Sequence, residues 1–107
     1  MRTDDVYTAY INWPGGGKRR PALIVCNHDK SVDIFRITSK YKNKSERIRA
    51  YYYPILDWEL AGLYKPSYVD TGQIIRLEKS CISFSKVGRL TNKDIKGITN
   101  FRNTIKY

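Results

Sequence analysis

The apolar and aromatic residues of this chain come in short runs, and turn-forming residues close each run before it can grow into a long helix. Six runs are rich in β-branched and aromatic types: residues 6–13 (VYTAYINW), 21–26 (PALIVC), 32–38 (VDIFRIT), 48–53 (IRAYYY), 73–77 (QIIRL) and 82–87 (ISFSKV). Such runs read as strands. The continuously apolar stretch 21–26 predicts a buried one. Between them stand Pro14-Gly15-Gly16-Gly17, Asn27-His28-Asp29-Lys30, a polar basic stretch over 39–47, and Pro54. The three glycines predict a mobile loop with little side-chain obstruction. Asp57–Ala61 predicts a short helical turn ended by Gly62. The end of the chain differs. Thr91 can cap a helix, with Asp94 three residues on as an imperfect capping box, and Ile95, Ile98, Phe101 or Arg102, and Ile105 follow at helical spacing. The expected fold is mainly β: five to seven short strands in a small, curled, partly open barrel with a C-terminal helix. At 107 residues, positions 1–107 hold a single domain with one core.

Charge narrows the function. Twenty Lys and Arg face ten Asp and Glu, a formal net charge of +10. An excess of that size on a small domain points to a polyanionic partner. No apolar run approaches the roughly 20 residues of a membrane span. The first residues, MRTDDVYTAY, contain no apolar signal segment. The expected setting is cytoplasmic, away from membranes, with Cys26 and Cys81 reduced. Basic residues interleaved with tyrosine suit a phosphate backbone whose bases are free to stack, as in single-stranded nucleic acid.

Several chemistries are missing. One histidine, His28, precludes a two-histidine acid–base pair within the chain, and it sits in a turn cluster where an exposed structural role is expected. One histidine and two distant cysteines do not make a zinc-site spacing. Asp4-Asp5 reads as a turn leading into the first strand. Gly15-Gly16-Gly17-Lys18 leads into a strand, so the helix N-terminus of a phosphate loop is missing. No metal or other cofactor is expected. What remains is the basic cluster Lys18-Arg19-Arg20 beside the glycines and the polar cluster Thr38-Ser39-Lys40. If the two flanking strands form a hairpin about a turn centred near residue 29, Arg20 lies opposite Thr38 at its open end. A guanidinium fork matches a phosphate. On these residues alone, a surface cation beside an ordinary strand end fits equally well.

In order and spacing the motifs resemble those of the MazF/PemK family of toxins from type II toxin–antitoxin systems. Asp5-Val6-Tyr7 resembles the family's opening strand, Arg20-Pro21-Ala22-Leu23-Ile24-Val25 its Arg-Pro-aliphatic signature, and Ile37-Thr38-Ser39 its strand-end threonine. Ala61-Gly62-Leu63, Lys65-Pro66-Ser67 and Gly88-Arg89-Leu90 resemble later stretches. The segment before the arginine departs from the family, being shorter and reading Pro14-Gly15-Gly16-Gly17-Lys18-Arg19. The resemblance implies an SH3-like barrel, a homodimer, and an endoribonuclease (mRNA interferase) that cuts single-stranded RNA without metal through the adjacent 2′-hydroxyl. It also implies silencing by a cognate antitoxin, expected to lay an acidic segment over the basic surface. Arg20 and Thr38 would be catalytic, with Ser39 and Arg19 in support. Lys18, Lys40, Lys42 and Lys44 would guide the backbone. Trp13 and Tyr41 could stack bases or simply pack, and Trp58 is expected in the core or an interface. Two other readings share these residues: a non-catalytic, CcdB-like toxin of the same fold that poisons a topoisomerase, and a plain nucleic-acid-binding module.

Overall fold

The strand-forming runs pair into one antiparallel sheet. The computed structural model describes residues 1–105, and Ile11, Asn12 and Trp13 by backbone alone. Its elements are β1 (Asp5–Trp13), β2 (Gly16–Asn27), β3 (Ser31–Thr38), a one-turn helix α1 (Glu46–Arg49), β4 (Tyr52–Pro54), β5 (Tyr68–Glu78), β6 (Ser83–Arg89) and α2 (Asn92–Thr104). The six strands lie in the order β4-β5-β3-β2-β1-β6, with β4 and β6 at the two edges. The sheet does not close, and one helix follows it, so the expected mainly β fold with an open barrel and a C-terminal helix is what the chain adopts.

Three local expectations differ from the structure. The glycine stretch is not a loop. The β1–β2 ladder runs out to Trp13↔Gly16, leaving only Pro14 and Gly15 as the turn. Gly15 has φ +88, and Pro followed by a positive-φ residue fits a type II turn. Gly16 and Gly17 are strand residues because their backbone groups pair like any others. The run 48–53 splits: Ser45 Oγ accepts from Ile48 N at 3.3 Å and caps α1, so Ile48 and Arg49 are helical and only Tyr52–Pro54 pair, against β5. A cap that satisfies a free helical N–H outweighs weak strand propensity in a segment with no neighbour to pair with. Third, β5 starts earlier than residue 73, and four of its residues, 71–74, bulge out against the single Phe35.

Alternation along β2 and β3 separates two apolar clusters. Leu23 of β2 and Phe35 and Ile37 of β3 point to one face, where they join Val6, Val69, Tyr53 and Ile98 of α2. Ile95, Phe101 and Trp58 pack against this core. Ala22, Ile24, Val32 and Ile34 point to the other face, with Tyr7, Ile75, Leu77 and Phe84 half-buried beside them.

Two buried carboxylates tie the elements together. Thr91 caps α2 by accepting from Asp94 N at 3.4 Å, but Asp94 does not return the bond as a capping box would. Its carboxylate, fully buried, accepts from Tyr53 Oη at 2.7 Å, Leu56 N at 2.9 Å and Asp57 N at 2.8 Å. Burial, and then the bond to Asp94, push the Tyr53 phenol well above its ordinary range. At the other end of the chain, Asp5 is buried against Arg89 at 3.1 Å and Lys86 at 3.6 Å and accepts from Arg2 N at 2.9 Å. Burial works to raise the Asp5 pKa, yet the Arg2 N–H and the Arg89 and Lys86 cations outweigh it and hold the carboxyl below the ordinary range.

Asp94→Ala is expected to cost about 3 kcal/mol in chemical denaturation, because it strands three donors in the interior. A Cβ at Gly97 would overlap Tyr53 Oη, which Asp94 holds in place. Gly97→Ala should therefore destabilise by about 1–3 kcal/mol, although helix propensity alone favours alanine. A more stable Gly97→Ala protein would show that Tyr53 is not fixed. The lowered Asp5 pKa makes a third prediction. The stabilisation is present above the unfolded carboxylate value near ~3.9 and is lost as pH falls through the still lower folded value. Asp5→Asn should lower stability at pH 7 and flatten the fall in stability below about pH 4; an unchanged acid limb would argue against it.

Candidate functional site

β2 and β3 pair as Ala22↔Arg36, Leu23↔Phe35 and Ile24↔Ile34. The last pair is Ala22↔Arg36, and the same register carried two residues on brings Arg20 and Thr38 to the open end of the hairpin. Both line one cleft of about 230 Å³ on the second face of the sheet, with Arg36, Lys40, Lys44 and Tyr52 around them. Its floor is apolar, made by Ala22, Ile34 and Ile75. Among the described residues none forms a hydrogen bond or ion pair with the Arg20 guanidinium. Thr38 Oγ1 accepts from Lys40 N at 3.1 Å, which leaves its own O–H free to donate. Arg36 is held at 2.9 Å by Asp70. Burial and then the Asp70 carboxylate push the Tyr52 phenol up, with Arg36 opposing. Tyr52 therefore stays a protonated donor. No carboxylate lines the cleft among the described residues.

Lys40 also belongs to a wider groove of about 570 Å³, lined by Ser39, Tyr41, Lys42, Lys65 and Tyr68. The Tyr41 and Tyr68 rings stack there at 4.3 Å and 12°, Tyr52 lies 6.2 Å from Tyr41, and the Arg49 guanidinium sits 5.4 Å over the Tyr41 ring. One face of Tyr41 is thus covered by Tyr68.

Residues 3–101 match the family described as PemK-like, MazF-like toxin of type II toxin–antitoxin system. The chain belongs to that family. Among solved structures it is similar to the Mycobacterium tuberculosis toxin MazF-mt6, with 18% identity, a TM-score of 0.60, and coverage of 92% of this chain and 98% of that one. At that identity the likeness is one of fold. A search of curated proteins returns no match. Membership in a type II toxin family implies an antitoxin partner. Among the described residues no helix is long and apolar enough to cross a membrane.

The toxin fold gathers most of the residues expected from the sequence. Arg20, Thr38, Lys40 and Lys44 share the cleft, and Ser39, Tyr41 and Lys42 line the adjoining groove. Arg19 is not among them. Strand alternation turns it to the opposite face, where it donates to Thr8 Oγ1 at 3.2 Å and lies 5.7 Å over the Tyr10 ring. Lys18 shares the strand face of Arg20 and is exposed, but it does not line the cleft. The side chain of Trp13 lies outside the described residues. His28, at the far end of the hairpin, bonds Asp33 at 2.9 Å. The sequence reading passed over Arg36 and Tyr52. Both had a signal: Arg36 lies two residues before Thr38, so it shares its strand face, and Tyr52 alternates with Tyr53, which the core takes.

The tyrosine stack holds residues 39–45 against β4 and β5. Tyr68→Ala removes an interaction worth about 1 kcal/mol. Amide exchange at Lys40–Lys44 should then rise roughly fivefold, while exchange in β2 stays unchanged. Equal exchange in both proteins would mean that the stack does not hold the segment.

Proposed function

We propose that this toxin is a metal-independent, sequence-specific endoribonuclease of single-stranded RNA. The observation that carries the reading is the Arg20 guanidinium, unpaired among the described residues, beside the Thr38 hydroxyl in a cleft that those residues line with cations and no carboxylate. Among the described residues a divalent ion finds no carboxylate to hold it in such a cleft, whereas a phosphodiester meets donors on several sides. The 2′-oxygen bonds to phosphorus and the bond to the 5′-oxygen breaks. The products are a 2′,3′-cyclic phosphate, or its opened form, and a 5′-hydroxyl. Negative charge grows on the phosphoryl oxygens in between. Arg20 grips these oxygens with its fork and strengthens as charge develops. Thr38 and Tyr52 donate neutral hydrogen bonds. The 2′ proton leaves to water and the 5′-oxygen recovers one from water, since no histidine lines the cleft. Lys40, Lys42 and Lys44 steer the backbone, and the tyrosine-lined groove receives a neighbouring nucleotide.

The same reading includes a homodimer, because Tyr7 and Phe84 remain half-buried on the second face outside the cleft lining and give a second copy apolar surface to cover. It also includes an antitoxin whose acidic segment competes with RNA for the cations around Arg20.

The deciding experiment incubates labelled single-stranded RNA with the protein in excess chelator. Cleavage is expected at defined sites. Arg20→Ala should lower it by at least ~10²-fold, the scale of losing one transition-state donor. Arg20→Lys should rescue little. Thr38→Ala should cost less than Arg20→Ala, and Lys42→Ala should weaken binding while leaving the chemical step intact. His28→Ala should cut at the parent rate. Full activity in Arg20→Ala would overturn the site, and a folded protein that binds RNA without ever cutting it would favour the non-catalytic readings. Binding should weaken with salt at a log–log slope of about −0.7 per phosphate contacted, roughly −2 to −3.5 for a few contacts. A salt-indifferent affinity would remove the electrostatic basis of the proposal.

A further inference from the structure

The far end of the β2–β3 hairpin, about 20 Å from Arg20 at roughly 3.3 Å per strand residue, carries a different chemistry. Cys26 is the last residue but one of β2, His28 stands in the turn, and Asp33 lies near the start of β3. The register slips by one residue between Ile24 and Cys26. In the register of Ala22↔Arg36, Asp33 would face Val25. The slip sets it opposite Cys26 instead. A bulge of this kind re-aims side chains. Here it puts a thiol and a carboxylate on one side of the hairpin, beside the single imidazole of the chain. One ligand atom from each of the three lies within 4.8 Å of the others.

We propose that Cys26, His28 and Asp33 form a binding site for a zinc-class divalent transition-metal ion that braces the β2–β3 hairpin. Thiolate, imidazole and carboxylate are the donors such ions take, with a fourth position left for water. Tetrahedral ligands at about 2.0–2.3 Å from the ion stand roughly 3.3–3.6 Å apart. His28 Nε2 and Asp33 Oδ2 are 2.9 Å apart, so their separation opens by only a few tenths of an ångström as the ion replaces the shared proton. The Cys26 thiol proton is released to solvent, and the proton that His28 Nε2 shared with Asp33 is displaced through solvent to Nδ1, so the neutral imidazole binds the ion by Nε2. Two thiolate and carboxylate charges then balance the dication.

The surroundings suit such a site. Arg76 Nε donates to Asp33 Oδ1 at 2.8 Å, fixing that oxygen and leaving Oδ2 turned toward His28, as an outer-shell partner does. Arg76 also reaches Oδ2 at 3.2 Å and His28 Nε2 at 3.4 Å, and the ion takes over those two longer contacts. The turn is set beforehand: His28 N donates to Ser31 O at 3.0 Å, and Lys79 Nζ reaches the carbonyls of His28 and Asp29. Cys26 is exposed and His28 is 39% exposed, so the ion has a way in. Counting histidines and cysteines along the sequence misses the set, because its third member is a carboxylate that the fold delivers across the hairpin.

The test is titration of the metal-free full chain with Co²⁺, then Zn²⁺. One equivalent of Co²⁺ should give visible ligand-field bands of a four-coordinate ion and a thiolate-to-cobalt charge-transfer band, and Zn²⁺ should erase both. Saturating Zn²⁺ should raise the melting temperature by at least about 5 °C. Cys26→Ser should abolish the charge-transfer band and weaken binding at least tenfold. His28→Ala should weaken it similarly, while Cys81→Ser should bind like the parent. The proposal is overturned by Co²⁺ binding without a charge-transfer band, by a band that survives Cys26→Ser, or by a band lost in Cys81→Ser. RNA cleavage by Cys26→Ser should match the parent, so these outcomes leave the ribonuclease reading untouched.

Discussion

The Asp94 carboxylate, buried at the start of α2, is where helix, loop and sheet are held together. It accepts from the hydroxyl of Tyr53 on β4 and from two successive backbone N–H groups just beyond that strand. A carboxylate this deep is costly unless its lone pairs are filled, and three donors fill them. The bond fixes the height at which α2 crosses the sheet. Ile98 then reaches the core, and the Arg102 guanidinium lies 4.9 Å over the Phe35 ring. Gly97 is the companion constraint, since only a residue without a side chain lets the helix pass the Tyr53 hydroxyl. Edge strand β4 has three residues and would be marginal alone. Tied to α2 on one side and β5 on the other, it can carry Tyr52 into the cleft.

With α2 covering one face, the other is left for function. The alternation that sends Leu23, Phe35 and Ile37 to the core sends Ala22, Ile24 and Ile34 to the opposite side. That stripe turns polar at the open end of the β2–β3 hairpin, where Arg20, Arg36 and Thr38 continue it. At the closed end the register slip changes the pattern again and gathers Cys26, His28 and Asp33. One hairpin thus carries the cleft proposed for phosphate at one end and the Cys26, His28 and Asp33 cluster proposed for a metal ion at the other.

The distribution of charge explains why the cleft is cationic. The acidic residues with visible work are committed within the fold: Asp5 to Arg89 and Lys86, Asp33 to Arg76, Asp70 to Arg36, and Asp94 and Asp57 to capping and loop bonds. Among the described residues only these four Lys and Arg side chains are ion-paired. Among the described residues Arg20, Lys40, Lys42 and Lys44 have no carboxylate partner. A net charge of +10 raises the local concentration of a polyanion before any specific contact forms.

The short runs and their breakers determined most of the fold, strands of period two and a helix begun at Thr91, and the residue count alone makes the chain strongly basic. The placement of Arg20 against Thr38 was also legible, because a tight turn near residue 29 dictates the register of its hairpin. Other features lay beyond sequence reading, for reasons of tertiary pairing. Gly16 and Gly17 read as a loop by composition, yet the ladder with β1 extends through them, since pairing depends on a neighbour's backbone rather than on a side chain. Arg19 and Arg20 are equivalent as a charge cluster, and only the side of the sheet each faces separates them. Asp94 suggested a local cap, but its partners lie 37 to 41 residues away. The convergence of Cys26, His28 and Asp33 required a one-residue slip between strands. Sequence alone determined which chemical groups this protein owns and how each segment prefers to run. The tertiary structure decided which of those groups meet, because meeting depends on register, sheet face and burial, and these are set by long-range pairing.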